Sequence, residues 1–102
     1  MHAVGAKYFK IEKRIVLSTT PDIVEFVVHA PNVAAHCRAG QFVIVRANDA
    51  AERIPLTIAD FDRKALTITM VCQAIGRSSK LINMLPEGAS FFDVAGPLGH
   101  AS

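Results

Sequence analysis

From Ala65 to Cys72 the sequence ALTITMVC alternates, with Leu66, Ile68, Met70 and Cys72 on one side and Thr67, Thr69 and Val71 on the other. A repeat of two lines one face of an extended strand, whereas a helix would scatter these side chains around its axis. A strand with one wet face needs paired neighbours and a core beneath it, so this segment commits the chain to a sheet. Five further segments read as strands: Tyr8 to Ser18 (YFKIEKRIVLS), Ile23 to Ala30 (IVEFVVHA), Gln41 to Arg46 (QFVIVR), Ile54 to Ala59, and Phe91 to Ala95 (FFDVA). Turn chemistry separates them at Thr20-Pro21-Asp22, at Pro31-Asn32, in a polar loop through Ala39-Gly40, and at Asn48 to Glu52. Pro55 has no N–H to give to a ladder, so it must sit at an edge, a bulge or a strand start. One helix is expected after Gly76, capped by Ser78 or Ser79. It carries Leu81, Ile82 and Leu85 at helical spacing and is stopped by Pro86 and Gly88. Regular turns without long alternating helices predict an all-β fold, a six-stranded antiparallel Greek-key barrel with one short helix, occupying residues 1–102 as one domain.

The 102 residues suffice for a single core, and an apolar fraction of 51% argues for a folded chain. No run reaches the roughly 20 apolar residues of a membrane span, and Met1 to Lys10 lacks the apolar centre of a secretory signal, which predicts a cytoplasmic protein. A net charge of +2 without clustered Lys and Arg gives no footprint for nucleic acid or a membrane surface. An oligonucleotide-binding barrel would interleave exposed aromatics with basic residues; this chain has no Trp, one Tyr and six Phe, mostly in apolar runs. Cys37 and Cys72 lie far apart in sequence, and the histidines are scattered, although His36 adjoins Cys37. That inventory builds neither a zinc site nor an iron–sulfur site, and it predicts two reduced thiols, with Cys72 facing the core.

Three segments carry chemistry. Arg53-Ile54-Pro55-Leu56-Thr57 opens a strand with an arginine and follows it with a hydroxyl. A guanidinium fork can grip a phosphate, and a strand hydroxyl can hydrogen-bond an aromatic heterocycle lying on the sheet, so the two could serve both ends of a dinucleotide. A surface arginine and an ordinary strand threonine would look the same. Gln73-Ala74-Ile75-Gly76-Arg77-Ser78-Ser79 runs through a glycine into a helix start, where backbone N–H groups and two hydroxyls favour a phosphate; a plain serine cap fits equally well. Gly96-Pro97-Leu98-Gly99 follows the last strand and by composition alone only ends it.

The order of these segments resembles the FAD-binding domain of the ferredoxin–NADP reductase-like family. Within that family it is similar to the small subunit of NADH-dependent ferredoxin–NADP oxidoreductase, also described as the sulfide dehydrogenase beta subunit, and to the dihydroorotate dehydrogenase electron-transfer subunit. The likeness runs from about Tyr8 to Ser102 and is most specific between Arg53 and Gly99. It implies an FAD-binding barrel in which Arg53 serves the pyrophosphate, Thr57 the isoalloxazine, and Pro55 and Leu56 line the ring. Val71, Gln73, Gly76, Ser78 and Ser79 would surround the ribityl and pyrophosphate portion. Leu56 stands where many members carry a stacking aromatic. The resemblance further implies an NAD(P)H-dependent flavin oxidoreductase as the parent, with an NAD(P)-binding domain and a [2Fe–2S] cluster beyond these residues. No G-x-G-x-x-G loop occurs here, no catalytic or metal-binding residue is expected in this piece, and a ferredoxin or a larger oxidoreductase subunit would be the electron partner. A docking domain that has lost its flavin is the alternative reading, against which the joint presence of Arg53, Thr57 and the 76–79 loop argues.

Overall fold

The computed structural model describes residues 9–100. It places β1 at Phe9–Thr19, β2 at Asp22–His29, α1 at Pro31–His36, β3 at Phe42–Arg46, β4 at Ile54–Asp62, β5 at Thr67–Gln73, α2 at Arg77–Asn83, β6 at Ser90–Phe91 and β7 at Asp93–Leu98. Tyr8, expected to begin the first strand, lies outside the described residues. The strands form one sheet in the order β6-β1-β2-β5-β4-β3-β7, with every pairing antiparallel.

The two outermost strands of that order, β6 and β7, are consecutive in sequence, with Phe92 alone between them. The chain that pairs with β1 through Phe9↔Phe91 turns at Phe92 and pairs with β3 through Arg46↔Asp93, which brings the sheet round into a nearly closed barrel. The Phe92 N–H donates to the Arg46 carbonyl at 3.0 Å, and the Arg46 guanidinium sits 5.1 Å from the Phe92 ring centre. This corner divides the expected Phe91–Ala95 strand in two, so the barrel has seven strands rather than six.

The second departure is α1, which replaces part of the expected polar loop. Pro31 supplies the fixed φ that suits a first helical position, and Val33 and Ala34 are buried against the barrel. Its last carbonyls are satisfied from a distance. Arg63 donates through Nη1 to Ala34 O at 2.9 Å and Ala35 O at 2.8 Å, and through Nη2 to Cys37 O at 2.9 Å.

Inside the barrel Ile11, Phe26, Val28, Val43, Val45, Ile68, Met70 and Phe91 are fully buried. Phe26 and Phe91 meet edge to face, with ring centres 5.7 Å apart. Ile68, Met70 and Cys72 face inward as their alternation requires. Leu66 does not extend that row, because it sits in the turn before β5 with φ +61°. Asp62 organises this turn by accepting the N–H groups of Lys64 at 2.8 Å and Ala65 at 3.0 Å. Those bonds, Ala65's first, hold its carboxyl below the usual carboxylate range.

Candidate functional site

β4 changes partner along its length. Residues 54–57 pair with β3, through Val45↔Ile54, Ile44↔Pro55, Val43↔Leu56 and Phe42↔Thr57, whereas pairing with β5 begins only at Ile58↔Met70 and continues to Asp62↔Thr67. The first half of β4 and the far end of β5 have therefore left each other's ladder. Pro55 lies in this singly paired stretch, which is how the sheet tolerates a residue without an N–H. Strand alternation sends Pro55 and Thr57 to the exposed outer face, and Val71 and Gln73 of β5 are exposed as well. Arg53, just before the strand, is also exposed. Leu56, expected beside a ring, points the other way: it is 8% exposed and belongs to the core, so only its backbone borders the outer face.

β3 and β7 extend this outer face. Phe42 pairs with Thr57 on one side and with Leu98 on the other. The Gly-Pro-Leu-Gly segment, by composition only a strand terminator, packs closely here. A Cβ on Gly96 (φ +153°) would stand 3.0 Å from Val43 Cγ1 and 3.2 Å from the Phe42 carbonyl, and one on Gly99 (φ +81°) would stand 2.9 Å from the Phe42 ring. Gln41 Nε2 donates to Gly99 O at 2.9 Å and ties the end of β7 to the start of β3.

At the other end of the split, the 74–76 loop enters α2. The Ser79 hydroxyl accepts the N–H groups of Ile75 at 2.9 Å and Gly76 at 3.0 Å and donates to Gly76 O at 3.1 Å. This is half of a capping box, since glycine has no side chain to return the bond. The Ser78 hydroxyl donates instead to Glu52 Oε1 at 2.7 Å. That bond joins the loop preceding Arg53 to the first turn of α2, so the arginine and serine segments, distant in sequence, come together. Asn83, 3% exposed, locks the far end of α2: its Nδ2 donates to Cys72 O at 3.0 Å and Asp22 Oδ1 at 3.2 Å. Arg14 Nη2 donates to Asn83 O at 2.6 Å. Nothing in the sequence signals Asn83 or Arg14; Glu52 shows only as the neighbour of Arg53.

Cys72 lies under the start of α2 and donates its thiol to Ser79 O at 3.8 Å. Burial, and then the charge of Asp22, push this thiol up to about 11 from its ordinary 9.0; burial likewise raises Cys37, against the opposing charge of Arg63. Unfolded, the Cys72 thiol loses its proton near pH 9, whereas folded it keeps it until about 11. The folded chain thus holds the extra proton across that interval, so this contribution to stability is intact below about pH 9 and is lost as pH rises toward 11. Urea unfolding midpoints should fall over this range and fall less steeply in Cys72→Ala; equal slopes would assign the loss to other groups.

Among the described residues no group of His, Cys, Asp and Glu could hold a metal ion, and both cysteines are free and buried. No described helix is long and apolar enough to cross a membrane. A surface groove of about 480 Å³, lined in part by Asp60, Asp62, Lys64 and Thr69, contains none of the nine sequence-predicted site residues. The arrangement offers an exposed outer face, a cation and a hydroxyl, which suits holding a ligand.

No family model matches the chain. A dihydroorotate dehydrogenase B (NAD(+)) electron transfer subunit homolog from Thermotoga maritima is 35% identical over 98 residues, covering 96% of this chain and 34% of that protein. The dihydroorotate dehydrogenase B (NAD(+)) electron transfer subunit from Streptococcus mutans is 33% identical over 82 residues, covering 78% of this chain and 31% of that protein. Among solved structures, an NADH-dependent reduced ferredoxin-NADP oxidoreductase studied for flavin-based electron bifurcation superimposes with a TM-score of 0.87 at 35% identity, covering 92% of this chain and 33% of the other. The chain spans about a third of the length of the relatives it matches. The barrel is therefore homologous to about one third of the length of the dihydroorotate dehydrogenase electron-transfer subunits and of the matching chain of the NADH-dependent reduced ferredoxin-NADP oxidoreductase, the family whose residue pattern it carries.

Proposed function

We propose that this barrel is the flavin-holding domain of an electron-transfer oxidoreductase subunit, and that the flavin is FAD. The observation that carries the reading is the separation of β4 from β5 at Thr57, flanked by Arg53 on one side and the 76–79 loop on the other. The isoalloxazine lies against the outer face, where Thr57 offers a hydroxyl to its polar edge and Pro55 and Val71 keep water from its plane. Leu56 contributes its backbone and a firm core beneath. Gln73 follows the ribityl chain, Gly76 and Ser79 shape the turn into α2, and Arg53 grips the pyrophosphate together with Ser78 and the backbone of the first turn of α2.

When bound, FAD supplies the redox chemistry, exchanging electron pairs with a nicotinamide and single electrons with an iron–sulfur partner. The residues described here bind and orient it. The activity of the whole protein, its nicotinamide and [2Fe–2S] sites, and docking to a larger subunit or a ferredoxin are assigned to a longer protein of the size of the relatives.

The test is the visible spectrum of the purified chain after incubation with FAD and removal of free flavin. Oxidised-flavin absorption that travels with the protein is expected. A folded chain that stays colourless at high FAD would overturn the reading.

A further inference from the structure

The hydrogen bonds at the Arg53 end of the site leave little free for an incoming phosphate. Each hydroxyl has one proton to give. Ser79 spends its proton on Gly76 O and fills its lone pairs with the N–H groups of Ile75 and Gly76. Ser78, 9% exposed, spends its proton on Glu52. An anionic oxygen 2.7 Å from that hydroxyl is what a phosphate would present, and here a carboxylate presents it. Glu52 is itself exposed and immediately precedes Arg53, so its side chain can swing into solvent without disturbing the core.

We infer that Glu52 is a built-in competitor for the cofactor's pyrophosphate, a latch that pairs Ser78 when the site is empty and must be displaced when the dinucleotide binds. The inference rests on the FAD reading above. It makes Glu52 an affinity-setting residue. Its charge opposes the arriving phosphates, and its hydrogen bond must break before Ser78 can donate to them. Because Glu52 is solvent-exposed, its effect is screened and modest, of the order measured for surface charge pairs.

Dissociation constants for FAD measured by flavin fluorescence on the wild-type chain, Glu52→Gln and Glu52→Ala test this. Glutamine keeps an acceptor for Ser78 but removes the charge, and alanine removes both. Both variants are expected to bind FAD about fivefold more tightly than wild type at low ionic strength, with the gain shrinking as salt is added. Wild type that binds FAD while both variants bind equally or more weakly overturns the latch and leaves the flavin reading standing. Folded wild type and variants that all fail to bind FAD overturn both.

Discussion

Arg53→Ala lowers affinity for FAD at least about tenfold and leaves the barrel folded. A hydrogen bond between a charged donor and a charged acceptor contributes about 1.5–3 kcal/mol, and every 1.4 kcal/mol is tenfold in a dissociation constant. The lower end applies here, because Arg53 is exposed and part of its interaction is screened. Exposure also keeps the substitution clear of the core, so circular dichroism and urea unfolding should match wild type. Arg53→Lys should recover only part of the loss, since an ammonium cannot present two parallel N–H bonds to one phosphate. A change of less than about twofold in the alanine variant would remove Arg53 from the phosphate grip.

Phe26→Ala should cost about 3–5 kcal/mol, the range for deleting a buried aromatic side chain. Against a total stability of roughly 5–15 kcal/mol for a domain of ordinary stability, that removes a large fraction. Phe26 is 0% exposed, lies on the middle strand of β1, β2 and β5, and packs edge to face on Phe91 at the closing corner. Its removal therefore opens a cavity at the centre and loosens the closure as well. Urea titration should show a much lower midpoint with an unchanged slope; a shift below about 1 kcal/mol would mean that the core refills the space.

The parts of this architecture that local patterns carry were readable from the sequence. The alternation at Ile68, Met70 and Cys72 gave the inward face of β5, and the missing N–H of Pro55 announced an irregular ladder. A helix after Gly76 was readable, but the expected serine cap was not met: Gly76 takes the N-cap position, and Ser79 in the first turn accepts its N–H. What depends on long-range geometry was hidden. The six residues of α1 are too few to show helical periodicity, and the arginine that caps them arrives from the β4–β5 turn. The Phe92 corner is invisible because Phe91 to Ala95 reads equally well as one strand. Leu56 was placed by the position of its motif, while its side chain obeys the two-residue period of β4 and goes inward. Asn83 serves Asp22 and Cys72 from an unremarkable helical position, so only the folded chain reveals it.

The corner at Phe92 also sets an order of events during synthesis. β2 can pair with β1 as soon as both have left the ribosome, and β5 can pair with β2 on one side and β4 on the other while later residues are still being added. β1 and β3, however, each wait for the same late segment, Ser90 to Leu98. Until it emerges, the nascent sheet is left with both of its edges, β1 and β3, open, and such edges pair readily with other chains. The outer face where Phe42 pairs with both Thr57 and Leu98 is therefore completed last, so under the reading proposed above a cofactor would load only after the barrel has closed.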